Sequence, residues 1–194
     1  GIETLCTFWN QDTANEIIKK HGQSKIITAT NVLAHVDDLN EFLKAVNSLL
    51  KKDGFFIVEF PYLYYLLVKN EFDTIYHEHL SYFLVKPLNK LYEANGLKIF
   101  KIEKYPIHGG SLRVYASKNL SKSEKSVDDF LKFENKKSLY DIKTYKSFEK
   151  NVKYIKKDLL SLLKKLRKNK KKIAAYGASA KGNTLLNYCG INKD

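Results

Sequence analysis

The sequence of 194 residues predicts an α/β fold: a Rossmann-like sheet, then a helical connector, then the start of a second Rossmann-like α/β unit. Three observations predict it. Apolar runs at 24–29 and 55–60 flank a stretch, 39–50, whose apolar residues recur at helical spacing, and strand, helix and strand at that interval make a right-handed crossover unit. Residues 126–170 read as two helices or more, with apolar Tyr154, Ile155, Leu159, Leu160, Leu162, Leu163 and Leu166 at helical spacing. Beyond them, 173–176 reads as a strand leading through a glycine-bearing turn into a helix. The boundaries that follow are 1–118, 119–171 and 172–194.

Taken in order, Ala14, Ile17 and Ile18 mark the first helix, with Asn10 or Asp12 able to cap it and Gly22 to stop it. Residues 24–29 read as a short buried strand, and Asn31 and His35 follow at its carboxyl end, where ligands sit in open α/β sheets. Asp37 or Asp38 caps the next helix, whose core face is Leu39, Phe42, Leu43, Val46, Leu49 and Leu50, and Gly54 ends it. The continuous apolar run 55–60 suits a central strand covered on both faces, closed by Pro61. A short aromatic-rich helix is expected over 62–69. Residues 88–95 form a helix stopped by Gly96, and 97–105 and 112–117 alternate as strands about a turn holding Gly109 and Gly110. That glycine pair serves a hairpin, which needs positive φ, and equally lets backbone amides approach an anion, with His108 and Arg113 beside them. Two helices or more fill 126–170. The spacing of Gly177 and Gly182 approaches that of a phosphate-binding loop, but Asn183 stands where that loop needs lysine, so ATP chemistry is not expected.

Composition narrows the classes further. The chain begins at Gly1 and contains no methionine, and it reads as part of a longer protein. It has no apolar run of about 18 residues and no basic-then-apolar leader, so neither a membrane span nor a secretory signal is expected and the compartment is the cytoplasm. Cys6 and Cys189 are far apart without C-x-x-C neighbours, so they give no ground for a disulfide framework or a zinc site. The formal charge of +13 invites a polyanion partner, but the excess lies in lysines between Lys118 and Lys172, and Arg113 and Arg167 are the only arginines. Specific readers of bases and phosphates favour the arginine fork, so these lysines read as solvated helix faces and no specific nucleic acid is expected.

The densest chemistry lies at 72–83, where Tyr76, His77, Glu78 and His79 stand together between apolar segments. Imidazole titrates near neutrality, so a histidine beside a carboxylate and a phenol can take a proton and have its charge stabilised. A merely solvated histidine-rich turn is the plain alternative. No H-E-x-x-H metal pattern is present and no metal is expected.

Four blocks carry a resemblance: Asn31-Val32-Leu33-Ala34-His35-Val36, the stretch 72–83, His108-Gly109-Gly110-Ser111-Leu112-Arg113, and the stretch 176–186 from Tyr176 to Leu186. In that order they resemble the S-adenosylmethionine-dependent C-methyltransferases that act on nucleotide-linked keto-deoxysugars. The resemblance implies that 1–118 is the C-terminal part of a methyltransferase domain, with a late antiparallel pair closing a parallel sheet, and that 172–194 begins a second α/β domain. Full-length members also carry an amino-terminal zinc-binding domain and a glycine-rich cofactor loop, so zinc is expected only there. The implied reaction moves a methyl group to a carbon next to a ketone through an enolate. The family implies His79 as the base with Glu78 and Tyr76 beside it, Asn31 and His35 at the cofactor, and His108, Ser111, Arg113 and Lys181 at the nucleotide-sugar substrate.

Geometry adds one requirement. In an extended segment Tyr76 and Glu78 would face away from His79, whereas a turn after a capping Asp73 or Thr74 puts Tyr76 and His79 on one face. His77 is the rival base. A second reading, a non-catalytic fragment or binding module, follows from the lack of a glycine-rich first cofactor loop and of a ribose-binding acid, and the chain alone is expected to be inactive. Half a parallel sheet would also leave an open strand edge and an uncovered apolar face near Ile26 and Ile57.

Overall fold

The computed structural model describes residues 1–119, 122–177 and 179–192. Leu120 and Ser121 of the connector, Ala178 of the glycine turn, and Lys193 and Asp194 lie outside the described residues. The chain forms two compact units: Gly1–Tyr62 with Leu80–Lys137, and Leu63–His79 with Ser138–Asp194.

The first unit holds helices α1 (Gln11–His21), α2 (Leu39–Leu49), α4 (Val85–Ala94) and α5 (Lys125–Lys136) around strands β1 (Ser24–Thr30), β2 (Leu50–Pro61), β3 (Lys98–Tyr105) and β4 (Ser111–Ser117). The sheet order is β1-β2-β4-β3. β1 runs parallel to β2, and β4 runs antiparallel to both of its neighbours. Capping choices left open by sequence resolve simply: the Asn10 side chain accepts from Thr13 N and starts α1, and Asp38 accepts from Asn40 N and Glu41 N and starts α2.

Period-two alternation along the strands separates two faces. Phe56, Val58 and Phe60 of β2 pair with Ala116, Val114 and Leu112 of β4, and all six are buried. This face meets the helices: Phe56 lies 6.3 Å from Phe42 of α2 and stacks 6.0 Å from Tyr92 of α4. The other face carries Phe55, Ile57 and Glu59 beside Tyr115 and Arg113, and most of these are only half-buried.

Two expectations are corrected. The strand at 24–29 is not buried: no residue of β1 is, and Ile26 is 56% exposed. Among the described residues β1 pairs with β2 alone, so it is an edge strand and loses the cover a central strand receives. Gly54 does not end α2 either. The helix stops at Leu49 and β2 begins at Leu50, with Gly54 inside the strand where the register jumps from Ser24↔Leu50 to Ile26↔Phe55. A Cβ on Gly54 would lie 2.9 Å from Lys25 O, so glycine serves the close approach of the two backbones there.

The second unit contains α3 (Leu63–Lys69), a one-turn 3-10 helix (Phe72–Thr74), α6 (Ile142–Lys168) and α7 (Ala180–Cys189). Asp141 caps α6 by accepting from Lys143 N. α6 buries only Val152, and its apolar Tyr154 and Leu162 are 68% and 50% exposed. Residues 173–176 form no ladder with any described strand. A strand needs a neighbour to take its N–H and C=O groups, and an apolar run cannot supply one. α7 forms after Ser179, whose hydroxyl accepts from Gly182 N, and ends at Gly190 in the left-handed region at φ 69°.

Candidate active site

The stretch with the densest chemistry is a turn, not a strand. After the 3-10 helix the chain folds back so that His79 N donates to Tyr76 O at 3.0 Å. This puts Tyr76 and His79 together, with ring centroids 4.5 Å apart and the Tyr76 hydroxyl 3.4 Å from His79 Nε2. His79 Nδ1 lies 3.0 Å from Thr74 O. A carbonyl oxygen can only accept, so this contact places the imidazole proton on Nδ1 and leaves the lone pair of the neutral ring on Nε2. Thr74 acts here through its backbone, while its hydroxyl donates to Glu71 O at 2.8 Å. His77 and Glu78 lie on the solvent side of the turn and are exposed.

At the carboxyl end of β1, Asn31 adopts φ 55°, the left-handed region that asparagine tolerates better than most residues. Its N–H donates to Glu59 O at 2.8 Å. Its side-chain oxygen is buried and has no hydrogen-bond partner among the described residues. The 3-10 helix Leu33–His35 follows, with Leu33 and Ala34 buried and His35 exposed. Ala34 O accepts from Leu80 N and Ser81 N, which ties the residues after the histidine turn to this corner of the first unit.

The β3–β4 connection carries the third group. His108, Gly109 and Gly110 have φ of 51°, 81° and 130°, so the glycine pair does meet the conformational demand of the turn. Ser111 is buried and its hydroxyl donates to Ile107 O at 3.0 Å. His108 is exposed. Arg113 faces into the half-open side of the sheet: Nε and Nη2 donate to Glu59 Oε2 at 3.1 and 2.8 Å, Nη1 donates to the Tyr105 hydroxyl at 3.0 Å, and the guanidinium lies 4.0 Å from the Tyr105 ring centroid. The Glu59 carboxylate, hydrogen-bonded to Arg113, holds that guanidinium above its ordinary pKa. Tyr105 passes the network on to Glu103, which also accepts from Tyr115 at 2.6 Å and pairs with Lys101 at 2.9 Å. Lys181 stands elsewhere, exposed on the first turn of α7 in the second unit.

Residues 6–102 match the family model described as a methyltransferase domain, and residues 106–194 match the one described as the C-methyltransferase C-terminal domain. The chain belongs to the S-adenosylmethionine-dependent C-methyltransferase family. Among its relatives, C-methyltransferase NovU of Streptomyces niveus is 34% identical over 193 residues, an alignment taking in 98% of this chain and 46% of that protein. The chain thus spans about half the length of the curated relative it matches. Among solved structures, magnesium protoporphyrin IX methyltransferase (ChlM) of Synechocystis PCC 6803 with bound SAH is similar over 50% of this chain and 46% of that one, at 16% identity and a TM-score of 0.39.

The cofactor of the family is S-adenosylmethionine, and one feature of this chain fits it. A buried carbonyl oxygen without a donor is costly, and Asn31 presents one at the carboxyl end of a parallel strand. Amino groups of the cofactor are donors of the right kind. The partners of two residues in these networks escaped the sequence reading. Glu59 was legible only as a lone carboxylate in the run 55–60, and the structure shows it buried, 6% exposed, with Arg113 as its counter-ion. Thr74 was legible only as a candidate cap, and the structure uses its backbone carbonyl toward His79 instead.

Proposed function

We propose that this chain carries the proton-abstracting part of an enzyme that moves a methyl group from S-adenosylmethionine to a carbon next to a ketone on a nucleotide-linked deoxysugar, through an enolate. The observation that supports this best is the contact of His79 Nδ1 with Thr74 O. With Nδ1–H held on Thr74 O at 3.0 Å, Nε2 is the basic nitrogen. Bound cofactor supplies an electrophilic methyl group on a sulfonium. Everything else falls to side chains.

A carbon acid next to a ketone is very weak, so removing its proton requires both a base and a stabiliser for the enolate oxygen. Nε2 of His79 takes the proton, and the imidazolium that forms keeps its Nδ1 bond to Thr74 O. The Tyr76 hydroxyl lies 3.4 Å from Nε2 and would donate to the enolate oxygen. Glu78, on the same turn, contributes a negative charge that favours the imidazolium. Asn31 and His35 would hold the cofactor in the first unit. His108 on the β3–β4 turn, Ser111 and Arg113 on β4, and Lys181 on α7 would serve the polar and anionic groups of the substrate.

Exchange of the sugar's α-proton into deuterated solvent, followed without cofactor on a nucleotide-linked keto-deoxysugar, isolates the deprotonation step. His79→Asn is expected to slow it by roughly 10²–10⁴-fold, the usual worth of a general base, and to leave cofactor affinity nearly unchanged. His77→Asn is expected to cost much less. Parental exchange in His79→Asn with loss in His77→Asn would move the base to His77, and no loss in either would remove this stretch from the chemistry.

A further inference from the structure

The turn that holds His79 is braced from behind within the second unit. α7 packs on the 3-10 helix Phe72–Thr74, with the Phe72 and Tyr188 rings 5.1 Å apart and tilted by 58°. Phe72 and Cys189, the residue after Tyr188, are buried. Lys156 of α6 fixes the other side of this contact. Its ammonium donates to Tyr188 O at 2.5 Å and lies 5.0 Å from the Tyr188 ring centroid. A cation there meets the negative end of the α7 dipole and the negative face of the ring together.

Two residues beyond Phe72, the Thr74 carbonyl accepts from His79 Nδ1 at 3.0 Å and from Tyr76 N at 3.1 Å. The direction of that carbonyl is set by the 3-10 turn, in which Thr74 N donates to Glu71 O at 3.2 Å and Ile75 N to Phe72 O at 3.0 Å. A single 3-10 turn has little stability of its own, so what packs on it decides how firmly its carbonyls are held.

We infer that Tyr188 and Lys156 are positioning residues for His79: α7, pinned by Lys156, holds Phe72 in place, and the turn begun at Phe72 aims the Thr74 carbonyl that keeps the imidazole proton on Nδ1. The inference rests on the assignment of His79 as base and extends it to residues on two other helices. A neutral imidazole in water prefers its proton on Nε2. A carbonyl that drifts from Nδ1 therefore returns the proton to the nitrogen that must accept one from the substrate, and the base is lost without any change in the histidine itself.

Histidine ¹⁵N NMR of the full chain near neutral pH tests this without substrate or cofactor. The parental protein is expected to show His79 as the Nδ1–H tautomer. Tyr188→Leu is expected to shift the tautomer ratio toward Nε2–H by about fivefold, the equilibrium weight of one ordinary hydrogen bond, and Lys156→Ala in the same direction by less. Tyr188→Phe, which keeps the ring on Phe72, and Lys156→Arg, which keeps the cation, are expected to restore the parental ratio. His21, His35, His77 and His108 serve as internal references and should not move. Release of α7 is the intended perturbation, so a variant that frays this helix remains a valid test. An unchanged His79 ratio in both Tyr188→Leu and Lys156→Ala overturns the proposal, as does an equal shift of all the histidines, which would mean general loosening. Failure of the base assignment shows separately, as undiminished α-proton exchange in His79→Asn while the tautomer shift persists.

Discussion

At the scale of single residues, the chain places polar atoms where burial makes their partners decisive. Tyr92 is fully buried against Phe56, burial pushes its phenol well above the ordinary value, and its hydroxyl has no partner among the described residues. Removing an unsatisfied hydroxyl from a core relieves its desolvation cost, so Tyr92→Phe is expected to stabilise the first unit by about 1 kcal/mol, read as a rise in urea midpoint at constant slope. Glu103 is the opposite case. Hydrogen bonds from Tyr115 first, then Lys101, hold its carboxyl below the ordinary value of 4.5. A depressed carboxyl stabilises the folded state above its unfolded pKa and ceases to do so as pH falls through the folded one, because the unfolded chain binds the proton first. Below pH 4.5 the parental protein should lose thermal stability faster than Glu103→Gln, whose amide does not titrate. Equal slopes for the two in a series of melts would assign acid sensitivity elsewhere.

At the scale of elements, one helix is completed by a residue from another. α4 begins after Leu84, which offers no side-chain cap. Its first amides are taken instead by Glu134 of α5: Oε1 accepts from Val85 N at 2.6 Å and Oε2 from Lys86 N at 3.2 Å, while Oε1 also accepts the Tyr62 hydroxyl at 2.9 Å. Glu134 is wholly buried, and the positive end of the α4 dipole compensates its charge. One carboxylate thus joins the end of β2, the start of α4 and the last turn of α5. Glu134→Ala strands several buried donors, and a loss of roughly 2–5 kcal/mol is expected in equilibrium unfolding, well above the cost of an ordinary cap substitution. Glu134→Gln keeps an acceptor and should lose less. A loss under about 1 kcal/mol for the alanine variant would show that water replaces the carboxylate at no cost.

At the scale of the whole molecule, charge and cover are distributed unevenly. The net charge of +13 comes mainly from lysines, and most of those between 118 and 172 are exposed on α5, on α6 and beyond it. Solvated lysines attract any polyanion through counter-ion release, so affinity for DNA or RNA is expected to be insensitive to sequence and to collapse between low and physiological salt. Fluorescence anisotropy at two salt concentrations measures this, and selective sub-micromolar binding at the higher one would point to a nucleic-acid interface instead. No helix among the described residues is long and apolar enough to cross a membrane. On the sheet, Ile26 is exposed and Ile57 and Phe55 are half-buried on the side away from α2 and α4, which leaves apolar surface beside the open edge of β1.

What could be read without coordinates was what is encoded within a few consecutive residues. Apolar spacing located α2, β2, β3, β4 and the helices of 126–170, and short polar side chains narrowed two caps to Asn10 or Asp12 and to Asp37 or Asp38, of which the structure uses Asn10 and Asp38. The turn at 72–79 was legible too, since only a turn brings Tyr76 and His79 together. Tertiary structure alone decided the rest. It made β1 an edge strand, set β4 between β2 and β3, left 173–176 without a ladder, buried Glu59 against Arg113 and sent Glu134 to cap α4. It also chose the His79 tautomer through a carbonyl that any residue at position 74 would possess. Periodicity and capping act over one or two turns of chain, so the side chains that cause them are neighbours in sequence. The burial of a strand, the counter-ion of a carboxylate and the partner of a ring nitrogen depend on atoms brought together from distant segments, and no local pattern names those atoms.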